Sequence, residues 1–240
     1  MKPIIGVTCA WSEETWTRTT DNQGYYYVGK PYVRAINENG GIPLLISPEY
    51  YDDDDIDNTV EEILDRVDGI VFSGGGDSKF TSHELPILRL QQPKRYYFEK
   101  KLMLGAWERN IPVLGICRGH QMMAEVFEGS LAKYTVSGHR FDTPGHISFH
   151  DSIIEKNSYL YKIINKEEWK INSFHIQVID TVPKDFQACI HSIDGVIEGI
   201  EAVNKAFFIG LQFHPEELLP NDLNSQLLFK EFIRKSGYSK

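Results

Sequence analysis

The sequence predicts an α/β protein with a mostly parallel central sheet, helices on both faces, a nucleophile elbow and a late antiparallel meander. Three observations carry this prediction. Short apolar runs alternate with helix-patterned stretches through the first half of the chain, the order that builds a parallel sheet. The apolar run from Ile111 to Ile116 passes through Gly115-Ile116-Cys117-Arg118-Gly119, the signature of a strand that turns directly into a helix. Past Gln187, two strand-like runs, ACIHS and GVIEGIEAV, meet at Asp194-Gly195, a hairpin signal.

Taken in order, Pro3 to Ala10 reads as the first strand, and Trp11 to Gly24 as a polar loop of the kind that borders a site. In the stretch Tyr25 to Asn39, Tyr32, Ile36 and the residues between have helical spacing, and Gly40-Gly41 stop the helix. Its tyrosines either line a cleft or pack under the sheet. Ile42 to Ser47 is the second strand. The acidic run Asp52 to Asp55 is a solvated loop or helix start, because consecutive carboxylates rarely converge on one ion. Val60 to Val67 is an amphipathic helix, and Asp68 to Ser73 a buried strand that ends in Gly74-Gly75-Gly76-Asp77. A loop from Ser78 to Lys94, holding Pro86 and Pro93, precedes a helix from Arg95 to Asn110. The elbow helix then continues through Gln121, Met122, Val126 and Phe127 to Gly129. Leu131 to Asp151 is irregular, and Trp169 to Ile179 is strand-like around a Ser173-Phe174-His175 turn. Ala206 to Phe213 is the last buried strand and runs into His214-Pro215-Glu216. Leu223 to Lys235 closes the chain as a helix with an apolar face at Leu227, Leu228 and Ile233. No repeat, linker or low-complexity stretch divides the chain, so residues 1–240 read as a single domain.

Composition narrows the functional class. A hydrophobic share of 41% and a charged share of 25% belong to a globular protein with a proper core. A net charge of -9 argues against nucleic acid or an anionic membrane as partner. No apolar run reaches membrane-spanning length. Three cysteines, Cys9, Cys117 and Cys189, give no paired spacing, which fits a reducing cytoplasm better than a disulfide framework. Cys9 and Cys189 read as inert core thiols, and Glu198 and Glu201 as outward strand residues. His139, His146 and His150 do not match a common zinc spacing, and no metal or other cofactor is expected. A homodimer is the prior expectation, since closed two-fold assemblies are the commonest oligomers.

The chemistry concentrates at three places. Glycines two residues either side of Cys117 let the strand fold into the helix while the thiol is held exposed in a strained turn, at the positive end of the helix field, which favours thiolate. A lone G-x-C-x-G also fits a structural turn with a small buried thiol. The glycine run after the third strand matches no phosphate-loop pattern, so its backbone N–H groups read first as part of an oxyanion hole. His214 and Glu216, two apart at a strand end, point to one side, so the carboxylate can orient the imidazole while its other nitrogen meets Cys117.

These motifs carry a resemblance. GICRGHQ, SGGGD and FFIGLQFHPE together resemble a class I glutamine amidotransferase domain. The segments PIIGVTCAW, ENGGIPLLIS, INSFHIQ and DGVIEGIE make the chain similar to its gamma-glutamyl hydrolase branch, that of gamma-glutamyl-gamma-aminobutyrate hydrolase. The resemblance covers nearly the whole chain and implies a flavodoxin-like fold. It implies Cys117 as nucleophile, His214 as general base and acid, and Glu216 as orienter. It implies the backbone N–H groups of Gly75 and Arg118 as the oxyanion hole, with Gln121, Ser173, Phe174 and His175 against the glutamyl end of the substrate. The implied reaction is hydrolysis of a small γ-glutamyl amide through a thioester, releasing glutamate and an amine. The alternative is a glutaminase subunit that delivers ammonia to a separate synthetase. The chain departs from the branch at Arg95-Tyr96, where Arg-Asp is usual, at Ala124-Glu125-Val126 and from Glu128 to Tyr134. These departures leave the Cys–His–Glu set intact and bear on the amine side.

Overall fold

The computed structural model describes residues 1–12, 24–49, 55–75, 92–132, 149–175 and 177–237. Most of the loops expected over 11–24 and 78–94 lie outside these residues, as do Gly76, Asp77, His139 and His146.

In chain order the elements are β1 (Ile4–Thr8), β2 (Ala10–Ser12), β3 (Tyr25–Tyr27), α1 (Lys30–Glu38), β4 (Ile42–Ile46), α2 (Asp55–Leu64), β5 (Gly69–Phe72) and α3 (Pro93–Glu108). They continue with β6 (Val113–Ile116), α4 (Arg118–Val126), β7 (Ser130–Leu131), β8 (Phe149–Ile154), α5 (Tyr159–Ile164), β9 (Glu168–Asn172), β10 (Ile179–Thr181) and β11 (Phe186–Ser192). The last are β12 (Ile197–Ala202), β13 (Phe208–Leu211), α6 (Pro215–Leu218) and α7 (Leu223–Ser236).

The sheet has nine strands in the order β4-β1-β5-β6-β13-β12-β11-β8-β9. Pairing is parallel from β4 to β13 and antiparallel from β13 to β9. β5, β6 and β13 are buried at every position, as central parallel strands covered on both faces must be. One face is covered by α1, α5 and α7, through Ile36, Leu160, Leu228, Phe229 and Phe232. The other is covered by α2, α3 and α4, through Val60, Leu64, Leu102, Met103 and Met122. The predicted α/β class with helices on both faces is therefore the observed one.

The structure adds the strand β3 and corrects two expectations. Tyr25–Tyr27 is a strand that pairs antiparallel with Ala10–Ser12, and the helix holding Tyr32 and Ile36 begins at Lys30, with Pro31 in its first turn. Aromatic residues favour the pleated strand, and proline favours the opening turn of a helix. Glu198 and Glu201 point inward, at 0% and 3% exposure, because β12 lies inside the sheet between β11 and β13. Glu201 accepts the Tyr159 and Leu160 N–H groups at 2.6 and 2.9 Å and so caps the start of α5. His150 and Asp151, expected in an irregular stretch, lie on β8.

Candidate active site

Cys117 stands where β6 becomes α4, at φ 52° and ψ −102°, in the left-handed region that few side chains adopt. Its N–H donates to the Leu211 carbonyl at 2.8 Å, which ties the turn to β13. The flanking glycines are required by contact. A Cβ on Gly119 would sit 2.2 Å from the Phe72 carbonyl oxygen, and one on Gly115 would sit 2.7 Å from the Gly119 carbonyl oxygen. Both obstacles are backbone, so no side chain can move aside.

His214 follows the end of β13 as the N-cap of α6, and Pro215 opens that helix. Glu216 therefore lies in the first turn of a helix and not on a continuing strand, a correction to the strand geometry expected. The pair still meets: His214 Nδ1 is 2.7 Å from Glu216 Oε1, with the carboxylate side chain 1% exposed. His214 and Cys117 line the same cavity, and a Cβ built on Gly74 would touch both, His214 Cε1 at 3.1 Å and Cys117 Cβ at 3.4 Å. Burial alone would lower the His214 pKa, but the Glu216 carboxylate and the neighbouring Cys117 outweigh it and hold it well above the ordinary histidine value. Asn172 at the end of β9 grips the His214 backbone from both sides: its Nδ2 donates to the carbonyl at 3.0 Å, and its Oδ1 accepts the N–H at 2.9 Å.

The glycine run lies opposite. Gly75 has φ +86°, and Gly74 packs so closely that a Cβ there would meet His214 Cε1 at 3.1 Å. Arg95, fully buried on α3, holds this loop from behind. Its guanidinium donates to the carbonyls of Ser73, Gly74 and Gly75 at 3.0, 3.2 and 3.1 Å. Its Nε donates to Glu99 at 2.8 Å, and Glu99 also receives Arg118 Nη1. Burial would raise the Glu99 pKa; Arg118 and Arg95 reverse this and hold the carboxyl below its ordinary value. From the other side, Tyr32 Oη accepts the Gly74 N–H at 3.0 Å and lines the cavity with Glu216. Burial, reinforced by the Glu216 charge, keeps this phenol protonated.

Tyr32, Gly74, Gly75, Cys117, His214 and Glu216 line a cavity of about 310 Å³ whose walls also include Tyr27, Val28, Pro31 and Phe174. Of the residues expected against substrate, Phe174 reaches this cavity. Gln121, Ser173 and His175 are not among its described walls. Gln121 Nε2 instead donates to the Gln177 carbonyl at 2.9 Å and to Gln212 Oε1 at 3.2 Å, and His175 Nε2 turns toward Glu198. Gln212 Nε2 in turn lies 3.7 Å from Cys117 Sγ.

Glu99, Asn172 and Gln212 are neighbours of the candidate site that sequence patterns do not single out, whereas Arg95 enters the sequence reading through its departure from Arg-Asp and Tyr32 through its helical spacing. Of those three, only Glu99 carries a signal, an i,i+4 spacing from the oppositely charged Arg95, and that spacing usually marks a solvated helix face.

A parallel sheet with a cysteine elbow and a facing His–Glu pair defines a class of thiol hydrolases and amidotransferases. Within it, residues 3–216 match the Peptidase C26 family model, and the chain belongs to that family, whose fold is class I glutamine amidotransferase-like. It is a hydrolase acting on a C–N bond. Similar proteins include RP404 of Rickettsia prowazekii, a candidate glutamine amidotransferase-like protein, 30% identical over 99% of both chains. Gamma-glutamyl-gamma-aminobutyrate hydrolase PuuD of Escherichia coli is 26% identical over 96% of this chain and 92% of its own. Among solved structures, a candidate GMP synthase component of Thermoplasma acidophilum superposes with a TM-score of 0.68 at 19% identity, covering 99% of this chain and 95% of that one.

Proposed function

We propose that this chain hydrolyses the γ-glutamyl amide bond of a small γ-glutamyl amine through a Cys117–His214–Glu216 triad. The observation that carries the reading is His214, bonded to Glu216 through Nδ1 and lining one cavity with Cys117. The family membership and the similarity to PuuD support the same bond and substrate class. In this reading Cys117 Sγ gives its proton to His214 Nε2 and attacks the γ-carbonyl carbon. The oxyanion meets the backbone N–H groups of Gly75 and Arg118, each donor contributing about 2.7–4 kcal/mol to the barrier reduction. His214 then returns the proton to the leaving nitrogen, and the C–N bond breaks to give a glutamyl thioester. Water, deprotonated by His214, attacks the thioester, releases glutamate and restores the thiol. Glu216 holds the imidazole in the tautomer this relay needs. Tyr27, Val28, Pro31 and Phe174 form the less polar walls, suited to the carbon skeleton of the amine.

The test is glutamate release from a panel of γ-glutamyl amides and glutamine. The expected result is turnover of one γ-glutamyl amine well above glutamine, abolished in Cys117→Ala with an unchanged melting temperature. Activity on glutamine alone, or none before a synthetase is supplied, would replace this reading with that of a glutaminase partner of a synthetase.

A further inference from the structure

We propose that His150, His175 and Glu198 form a binding site for one divalent metal ion of the zinc class, outside the Cys117 cavity. The three residues come from separate segments: His150 from β8, His175 from the turn after β9, and Glu198 from β12. Their donor atoms all lie within 4.8 Å of one another. Both imidazoles turn Nε2 toward the same carboxylate oxygen, Glu198 Oε1, each at 3.4 Å. That separation is long for an N–H···O hydrogen bond, which favours about 2.9–3.0 Å. It is the edge of a coordination tetrahedron: donors about 2.0–2.2 Å from zinc stand about 3.3–3.6 Å apart. The two Nε2–Oε1 separations match that edge.

The donor set agrees with the spacing. Two imidazole nitrogens and one carboxylate oxygen suit a borderline-soft ion such as Zn²⁺. The Glu198 and His175 side chains are 0% and 1% exposed, and His150 is 20% exposed. The carboxylate lies in the interior, where a positive partner offsets its desolvation, while the outer edge of the His150 side chain reaches solvent. The site also adjoins the active-site wall. His175 is the neighbour in sequence of Phe174, which lines the Cys117 cavity. The Glu198 carbonyl accepts the Gln212 N–H at 2.8 Å, and Gln212 reaches Cys117. The ion would pin the 173–175 turn to β12, a positioning role independent of which amide the enzyme cleaves.

The experiment uses the full chain with Cys117→Ala, which removes the competing thiolate. The protein is stripped with a chelator and titrated with Zn²⁺ by calorimetry. The expected result is one saturable Zn²⁺ per chain and a higher melting temperature on addition. Adding His150→Ala or His150→Gln at the exposed edge is expected to weaken binding by at least about ten-fold, with the melting temperature of the stripped protein unchanged. No saturable binding, or binding equal in the His150 variants, would overturn the proposal and leave the cluster an internal His–Glu ion pair.

Discussion

His214 shows how a few contacts set the chemistry of the site. Its folded pKa lies above the unfolded value of about 6.5, held there by Glu216 and Cys117 against the opposing effect of burial. The stability this pairing contributes is therefore complete below the unfolded pKa and is lost as pH rises through the higher folded one. Glu216→Gln removes the carboxylate charge behind it. The expected outcome is a melting-temperature deficit larger at about pH 6 than at about pH 10, read by calorimetry across pH; equal deficits would contradict the pairing. The same variant is expected to lose up to about 10⁴-fold in kcat. The proposed triad is legible in the sequence because Cys117, His214 and Glu216 announce themselves through short spacings: glycines two either side of the thiol, and an acid two beyond the histidine. The roles of Tyr32 and Asn172 are not legible. Each acts through a fold contact, Tyr32 with Gly74 and Asn172 with the His214 backbone, across 42 positions of chain in both cases.

At the scale of elements, α3 does more than cover the sheet. Arg95 binds three successive carbonyls of the loop after β5 and shares Glu99 with Arg118 at the start of α4. One buried network thus holds together the glycine loop and the elbow helix, the two elements proposed to supply the oxyanion donors. Replacing Arg95 by alanine leaves Glu99 with half of its compensation and frees the loop. Urea unfolding is expected to show a loss of about 3–5 kcal/mol, with kcat falling even in the folded fraction; a stable and fully active variant would show the network to be dispensable. The β2–β3 ribbon shows where local pattern is silent. The helical spacing of Tyr32 and Ile36 says nothing of Tyr25–Tyr27, which pair across to Ala10–Ser12 and place Tyr27 at the cavity. That pairing closes over intervening residues, which local periodicity does not sense. α5 is equally silent in the sequence, because it has six residues and its start is capped by Ser158 and by the distant Glu201.

For the whole molecule, the parallel half of the sheet supplies the elbow and the glycine loop, and the antiparallel half supplies the residues that brace His214. β6 and β13 lie side by side, so Cys117 and His214 leave adjacent strand ends although 97 positions separate them in sequence. The parallel half is legible from its alternation of apolar runs and helices. β9 falls in the stretch read as strand-like from Trp169, whereas β8 is not legible, because His150, Asp151 and Ser152 interrupt its apolar residues. The two faces are also separable. Phe232 on α7 is fully buried against Phe207, far along the chain from the α3 network. Phe232→Ala is expected to cost about 3–5 kcal/mol of stability while leaving KM and the pH profile of the folded enzyme unchanged, as chemical denaturation and steady-state assays would show. A shifted pH profile would mean that the covering helices tune the triad.

The central claim is that the reaction passes through a glutamyl thioester on Cys117. Acid quenching during turnover of a γ-glutamyl amide, followed by peptide mass spectrometry, tests it most directly. One added glutamyl group is expected on the peptide that holds Cys117, and none in Cys117→Ala. An unmodified Cys117 together with undiminished glutamate release by Cys117→Ala would contradict it.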